Sequence, residues 1–277
     1  MQKTIFAKCS VERKEEYKII TRIFEEDGKK SVEKTAVGKA SQAHVERMAD
    51  FAKSNPYTTE NVRLVPCEKV DAGKVRFAYV EGQRLDKVID QAVKQQEWDV
   101  VWEHVTLLKN IIMNVKETEA FHATEVFKNM FGDVPELEGY EATKNVSLDM
   151  VSANIVLSDS IYILDYEWTF DFAIPLKFIL YRSILLNGTL NVIPEDKKKH
   201  LMDIVDISEK ECEMFLAMEI AFQKFVTGVS LNNLYPDMPT KHTVVREENY
   251  CNEPKRSLPY RAVRKVKRIL VSVLKRG

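Results

Sequence analysis

The sequence predicts an α+β fold in two unequal lobes, a small antiparallel β lobe with one helix followed by a larger, mainly helical lobe. Three observations predict it. Short β-prone runs surround a single helical stretch in about the first eighty residues; after Gly82 the apolar residues recur at helical spacing; and 277 residues exceed what one small core usually fills. The composition, 45% hydrophobic and 30% charged, is ordinary for a globular protein.

The elements follow in order. "KTIFAKCS" and "YKIITRIFE" read as strands, and "EDGKK", Glu26 to Lys30, is a hairpin turn signal leading into the returning strand "SVEKTAV". "SQAHVERMADFAKSNP" reads as a helix with Ser41 at its N-cap and Pro56 beyond its end. "VRLVPCEKV" and "KVRFAYV" read as two further strands. The boundary between lobes falls near Tyr79–Gln83, giving a β-rich lobe over 1–80 and a helical lobe over 81–250. In the second lobe "RLDKVIDQAVKQ", "WDVVWEHVTLLKNIIMNVKET", "AIPLKFILYRSILL" and the stretch from Glu195 to Gly228 read as helical, interrupted by one hairpin.

Several function classes are disfavoured. The net charge of −1 provides no global field for nucleic acid. No stretch approaches the roughly 18–20 apolar residues of a membrane span, and the start, "MQKTIFAKCSVERKEE", becomes charged too soon for a signal peptide. Cys9, Cys67, Cys212 and Cys251 form no CxxC pair, which fits a reducing, cytoplasmic setting better than a disulfide framework. The five histidines are scattered and there is no HExxH, so a zinc site is not expected.

The chemistry gathers at the interrupting hairpin, "SLDMVSANIVLSDSIYILDYEW", Ser147 to Trp168. If Asp159 and Ser160 form a two-residue turn, Asn154 faces Asp165 across the ladder, and Asp149 lies one short loop before Asn154. Two carboxylates and an amide oxygen at a strand end suit a hard divalent cation, Mg²⁺ above all. A one-residue change of turn would send these side chains to opposite faces. An isolated D-x-x-x-x-N carries little by itself, since Asp50 to Asn55 matches it too.

With Asp149, Asn154 and Asp165 in this order, and "LDYEW" after the hairpin, the chain resembles the protein-kinase-like superfamily. It is most similar to the aminoglycoside phosphotransferase and choline kinase branch, from about Thr4 to Gly228. The resemblance implies a bilobal protein-kinase-like fold, ATP and Mg²⁺ as cofactors, and phosphoryl transfer to a hydroxyl. Asp149 would accept or orient the acceptor proton, and Asn154 and Asp165 would hold Mg²⁺. Glu167 would assist metal or substrate, or be an exposed acid beside the site. Lys34, on the apolar face of its strand with Val32 and Ala36, fits the lysine that contacts the α- and β-phosphates; an edge-strand lysine is the alternative. The following helix would offer it Glu46, with Asp50 as the alternative. Backbone groups of Tyr79, Val80 and Glu81 would read an adenine edge.

The chain also departs from the family pattern. No GxGxxG lies between the first strands; "KCSVERKEE" stands there, with Ser10, Arg13 and Lys14 as phosphate contacts in place of glycine's close approach. Ser147 stands where a histidine usually precedes the catalytic Asp. No A-P-E ending marks an activation segment, which argues against a protein substrate. "DYEWTFDFAIP" is similar to kinase-like segments of bacterial surface-polysaccharide (lipopolysaccharide) assembly proteins, which makes a sugar or glycan end the first acceptor to consider. The stretch from Glu119 to Asn145 is a candidate acceptor-recognition region. Two readings stay open: a phosphotransferase acting on a small molecule or glycan, and a pseudokinase module that binds nucleotide or a partner enzyme without transfer.

Finally, "SLPYRAVRKVKRILVSVLKRG", within 251–277, places Val263, Val266, Leu270 and Val273 on one side of a basic amphipathic helix. Such a helix is a peripheral contact for an anionic membrane, a docking element for a partner protein, or a final helix packed on the large lobe.

Overall fold

The structure, a computed structural model, describes residues 2–228. The basic helix expected within 251–277 lies outside the described residues. The N-terminal elements are β1 (Lys3–Cys9), β2 (Ile19–Glu26), β3 (Lys29–Ala36), α1 (Gln42–Phe51), β4 (Val62–Leu64), β5 (Cys67–Asp71) and β6 (Lys74–Ala78). They form an antiparallel sheet in the order β1-β2-β3-β6-β5, with β4 left out of it.

The β2–β3 turn is Asp27-Gly28, as the sequence suggests. Both residues have positive φ, 50° and 77°, the backbone of a type I′ turn, whose twist matches the strands it joins. Val45, Met48 and Ala49 of α1 are buried. Ser41 stands at the N-cap of α1, but its hydroxyl bonds to Gly38 rather than capping the helix.

The expected single strand "VRLVPCEKV" is two strands in two sheets. After Val65 donates to Ile163 O at 3.0 Å, Pro66 has no N–H to continue the ladder. β4 thereby joins the larger lobe and β5 the first sheet. The second sheet runs β4-β11-β10-β7, from β7 (Gln83–Arg84), β10 (Ile155–Leu157) and β11 (Ile161–Ile163). The link between lobes crosses this sheet closely. A Cβ on Gly82 would lie 2.5 Å from Leu157 O and 2.7 Å from Val156 Cγ1, so glycine alone fits there.

The larger lobe carries α2 (Leu85–Gln95), α3 (Trp98–Met113), β8 (Glu119–Ala120), α4 (Glu125–Phe131), β9 (Glu141–Thr143), β12 (Ile174–Pro175), α5 (Leu176–Leu185), α6 (Glu195–Val205) and α7 (Glu209–Thr227). Val101, Val105, Leu108, Ile111 and Ile112 form the buried stripe of α3. The helical stretch from Glu195 divides where Asp206 takes φ 54°. Ser208 then starts α7 with a capping box: its hydroxyl accepts from Glu211 N at 3.3 Å, and Glu211 Oε2 accepts from Ser208 N at 2.7 Å. The α+β, two-lobed arrangement expected from the sequence is therefore the observed one. Among the described residues no helix is long and apolar enough to cross a membrane.

Candidate active site

The β10–β11 hairpin has a different register from the expected one. Ile155 faces Ile163 and Leu157 faces Ile161, so Asp159 alone is the tip, closed by Ser158 N donating to Ser160 O at 3.0 Å. Asn154 consequently lies opposite Leu164, whose N–H donates to Asn154 O at 2.7 Å, and not opposite Asp165. Strand alternation ends at the next residue: Asp165 has φ 51°, an uncommon backbone for a residue with a Cβ. Tyr166 follows, fully buried against Phe51 and Phe77, its hydroxyl donating to Val65 O at 2.6 Å. This anchor holds the turned Asp165 and the next carboxylate, Glu167, under β3.

Lys34 meets both carboxylates. It is buried on the face of β3 that packs against the core, as the alternation predicts, while Glu33 points to the other face and pairs with Arg22 at 3.1 Å. The Lys34 ammonium donates to Asp165 Oδ1 and, at 2.7 Å, to Glu167 Oε2. Arg13 Nη1 lies 2.6 Å from Glu167 Oε1, with its guanidinium over the Trp168 ring. Burial pushes the Glu167 carboxyl up, but Arg13 and Lys34 outweigh it and hold that carboxyl well below its usual range. For Lys34 burial favours the neutral amine, and the two carboxylates overcome it and raise the pKa. Glu167 is 3% exposed, so it is a buried counter-ion and not an exposed acid.

Asp149 sits on a loop that three sets of bonds hold. Ser147 Oγ accepts from Asp149 N at 3.2 Å, so this serine caps the loop backbone. Leu148 N donates to Trp168 O at 2.8 Å, joining the loop to the segment after Asp165. Asn154 Nδ2 donates to Asp149 O at 3.0 Å, which leaves Oδ1 as its acceptor end. Burial pushes the Asp149 carboxyl up to about 6 against the pull of Arg182, with Glu167 and Asp165 adding to the rise.

Other expected residues are placed differently. Glu46 does not meet Lys34: its carboxylate accepts from Gly73 N at 2.8 Å and lies 2.8 Å from Lys69 Nζ. Asp50, the alternative, pairs with Lys53 at 2.6 Å. Both border a cavity of about 350 Å³ between α1 and β5, whose lining includes neither Lys34 nor its partners Asp165 and Glu167. Ser10 is buried and its hydroxyl is committed to β2, accepting from Ile19 N at 2.9 Å and donating to Ile19 O at 3.2 Å. Lys14 N donates to Val226 O at 2.9 Å and its ammonium lies over the Phe225 ring, so the β1–β2 loop is seated on the end of α7. At the link between lobes Tyr79 is exposed under Lys30, Val80 is half-buried, and Glu81 pairs with Lys30 at 2.7 Å.

No protein-family model and no curated protein sequence matches this chain. Solved structures do align with it. The choline kinase LicA from Streptococcus pneumoniae is 11% identical over 91% of this chain and 89% of its own, with a TM-score of 0.47. The complex of gentamicin with APH(2″)-IIa is 10% identical over 96% and 91%, with a TM-score of 0.49. The spectinomycin phosphotransferase APH(9)-Ia, in complex with ADP and spectinomycin, is 12% identical over 90% and 85%, with a TM-score of 0.37. At such identity none of them assigns a substrate to this chain.

The donor chemistry suits a hard cation held partly by a ligand. Among the described residues no three His, Cys, Asp or Glu side chains are placed to bind a metal by themselves. Asp165, with 43% of its side chain exposed, and Asn154 offer oxygen donors, the set expected where Mg²⁺ takes its other ligands from phosphates and water. The sequence reading missed two residues. Arg182 and Glu219 form a buried pair, Nε to Oε2 at 2.8 Å, and Arg182 Nη1 lies 2.7 Å from Asp149 Oδ1. A signal existed: each is a lone charge within a long apolar run, Arg182 between Lys177 and Glu195, and Glu219 between Glu213 and Lys224.

Proposed function

We propose that this chain is an ATP- and Mg²⁺-dependent phosphotransferase acting on a hydroxyl of a small molecule or glycan. The observation that carries the reading is the convergence on Asp165 and Glu167 of Lys34, 131 residues before Asp165, beside the loop that holds Asp149 and Asn154. Phosphoryl transfer asks a protein mainly for alignment and charge neutralisation, and this cluster supplies both signs of charge. Lys34 and Arg13 would bind phosphate oxygens; Asp165 and Asn154 would hold Mg²⁺, which when bound neutralises charge on the transferring phosphoryl group. Asp149 would orient the acceptor hydroxyl and take its proton, and Tyr79 to Glu81 would line the base. Glu46 and Ser10 are not carried forward as phosphate-site residues. The similarity of "DYEWTFDFAIP" to surface-polysaccharide assembly proteins makes the sugar end of such a polysaccharide the first acceptor to test. An ATP donor fits a cytoplasmic setting.

One observation favours a second reading. Arg13 is paired to Glu167 and its loop is seated on α7, as suits a pseudokinase whose phosphate seat is filled by its own side chain. Mg²⁺-dependent ATP turnover with a panel of sugar and amino-alcohol acceptors separates the two. Transfer to any acceptor supports the enzyme; nucleotide binding without turnover supports the pseudokinase.

A further inference from the structure

Besides the bonds described above, the loop carrying Asp149 is held by α5. Arg182 Nη1 of α5 donates to Leu148 O at 2.9 Å and to Asp149 Oδ1 at 2.7 Å. One residue on, Ser183 Oγ donates to Met150 O, and just beyond the helix Asn187 Nδ2 donates to Ser152 Oγ at 2.9 Å. Arg182 is in turn held through its Nε by Glu219 of α7, whose second oxygen accepts from Gln223 Nε2 at 2.8 Å. Arg182 is 4% exposed and Glu219 is fully buried.

A buried ion pair is a poor stabiliser, because desolvating both charges costs about what their attraction returns; well-packed apolar side chains of similar volume often serve better. What the pair supplies is direction. The planar guanidinium binds with its Nε and Nη1 fixed at one angle, so Glu219 sets where Nη1 points. One positive charge is shared by two carboxylates, which leaves Asp149 a proton acceptor. Its Oδ1 is occupied by Arg182, and Oδ2 remains for a ligand.

We propose that Arg182, oriented by Glu219, is the positioning residue for Asp149 and makes Oδ2 the oxygen that receives the acceptor proton. The inference rests on the phosphotransferase reading above. In the step, the acceptor oxygen bonds to the γ-phosphorus and its proton passes to Oδ2. The bond from that phosphorus to the bridging oxygen breaks, and ADP leaves with the electron pair.

The test is a mutant cycle of Arg182→Lys and Asp149→Asn, singly and together. It follows ADP formation from Mg²⁺-ATP with water or with whichever acceptor of the panel gives the faster turnover, Mg²⁺-ADP affinity by calorimetry, and thermal melting. Arg182→Lys is expected to lower turnover by about 10–100-fold with ADP affinity unchanged, and to lower it no further in the Asp149→Asn background. An Arg182→Lys loss that persists undiminished without Asp149, or a folded Arg182→Lys with full turnover, overturns the proposal. Should Arg182→Lys fail to melt cooperatively, Glu219→Gln, which is fully buried and does not bond to Asp149, takes its place in the same cycle with the same expectations. A wild-type chain that transfers phosphate neither to water nor to any acceptor of the panel ends the phosphotransferase reading and this inference with it. An active wild type with additive losses ends the inference alone.

Discussion

Lys34 Nζ lies 2.7 Å from Glu167 Oε2, and the other oxygen of that carboxylate lies 2.6 Å from Arg13 Nη1. One buried carboxylate thus bridges a cation from β3 and another from the β1–β2 loop, with Asp165 supplying the second negative charge. Removing it leaves Arg13 without its carboxylate and Lys34 with Asp165 alone, one uncompensated buried charge, so Glu167→Gln should destabilise the fold by about 3–5 kcal/mol. Lys34→Met in the same chain should recover part of the loss. Urea unfolding of both variants checks this, and a Glu167→Gln chain of wild-type stability would show that Glu167 is not the counter-ion.

Asp165 and Asp149 should separate binding from turnover. Asp165→Asn is expected to abolish Mg²⁺-ATP binding in calorimetry while the fold survives. Asp149→Asn is expected to keep that binding and lower turnover by roughly 10²–10⁴, the loss of a positioned base. Equal affinity for Mg²⁺-ATP in wild type and Asp165→Asn would remove Asp165 from the metal site.

Glu46→Gln should leave Mg²⁺-ATP affinity as it is in the wild type, because its carboxylate bonds to Gly73 N and Lys69 and does not meet Lys34. A marked loss of affinity would mean that the helix moves to bring Glu46 onto Lys34 when nucleotide binds.

Gly82→Ala places a methyl group 2.5 Å from Leu157 O, a backbone atom that cannot turn aside. The link or β10 must shift, at an expected cost of about 1–3 kcal/mol, read as a lower melting temperature. An unchanged melting temperature would show that the link has room to move.

His44 packs edge-on against Tyr17 and beside Trp168, with its Nε2 buried and without a hydrogen-bond partner. Burial lowers its pKa from 6.5 to about 4, with Glu167 pulling the other way and Arg13, Lys34 and Arg47 reinforcing the drop. Between those values the unfolded chain binds more protons than the folded one, so stability rises with pH across the window. The stability is fully present above about pH 6.5 and falls by about 3 kcal/mol as pH drops toward 4. His44→Phe should flatten this part of the urea-midpoint profile; a profile of unchanged slope would assign the acid loss to other groups.

The sequence by itself determined what depends on near neighbours along the chain. Asp27-Gly28 sets a type I′ turn because both backbones reach positive φ cheaply, and the spacing of Val101, Val105 and Leu108 sets one buried helix face. Alternation along β3 put Lys34 on the inward face for the same reason, and the order of lobes follows from such local patterns. Only the tertiary structure decided who meets Lys34, Asp149 and Glu46. The hairpin tip closes on Asp159 alone, which moves Asn154 opposite Leu164 and leaves the turn at Asp165 to aim its carboxylate. Glu167 rather than Glu46 neutralises Lys34, and Arg182 with Glu219 holds Asp149. These partners come from distant segments whose charges are costly to bury alone, so the packing of β3, α5 and α7 against the hairpin selects them.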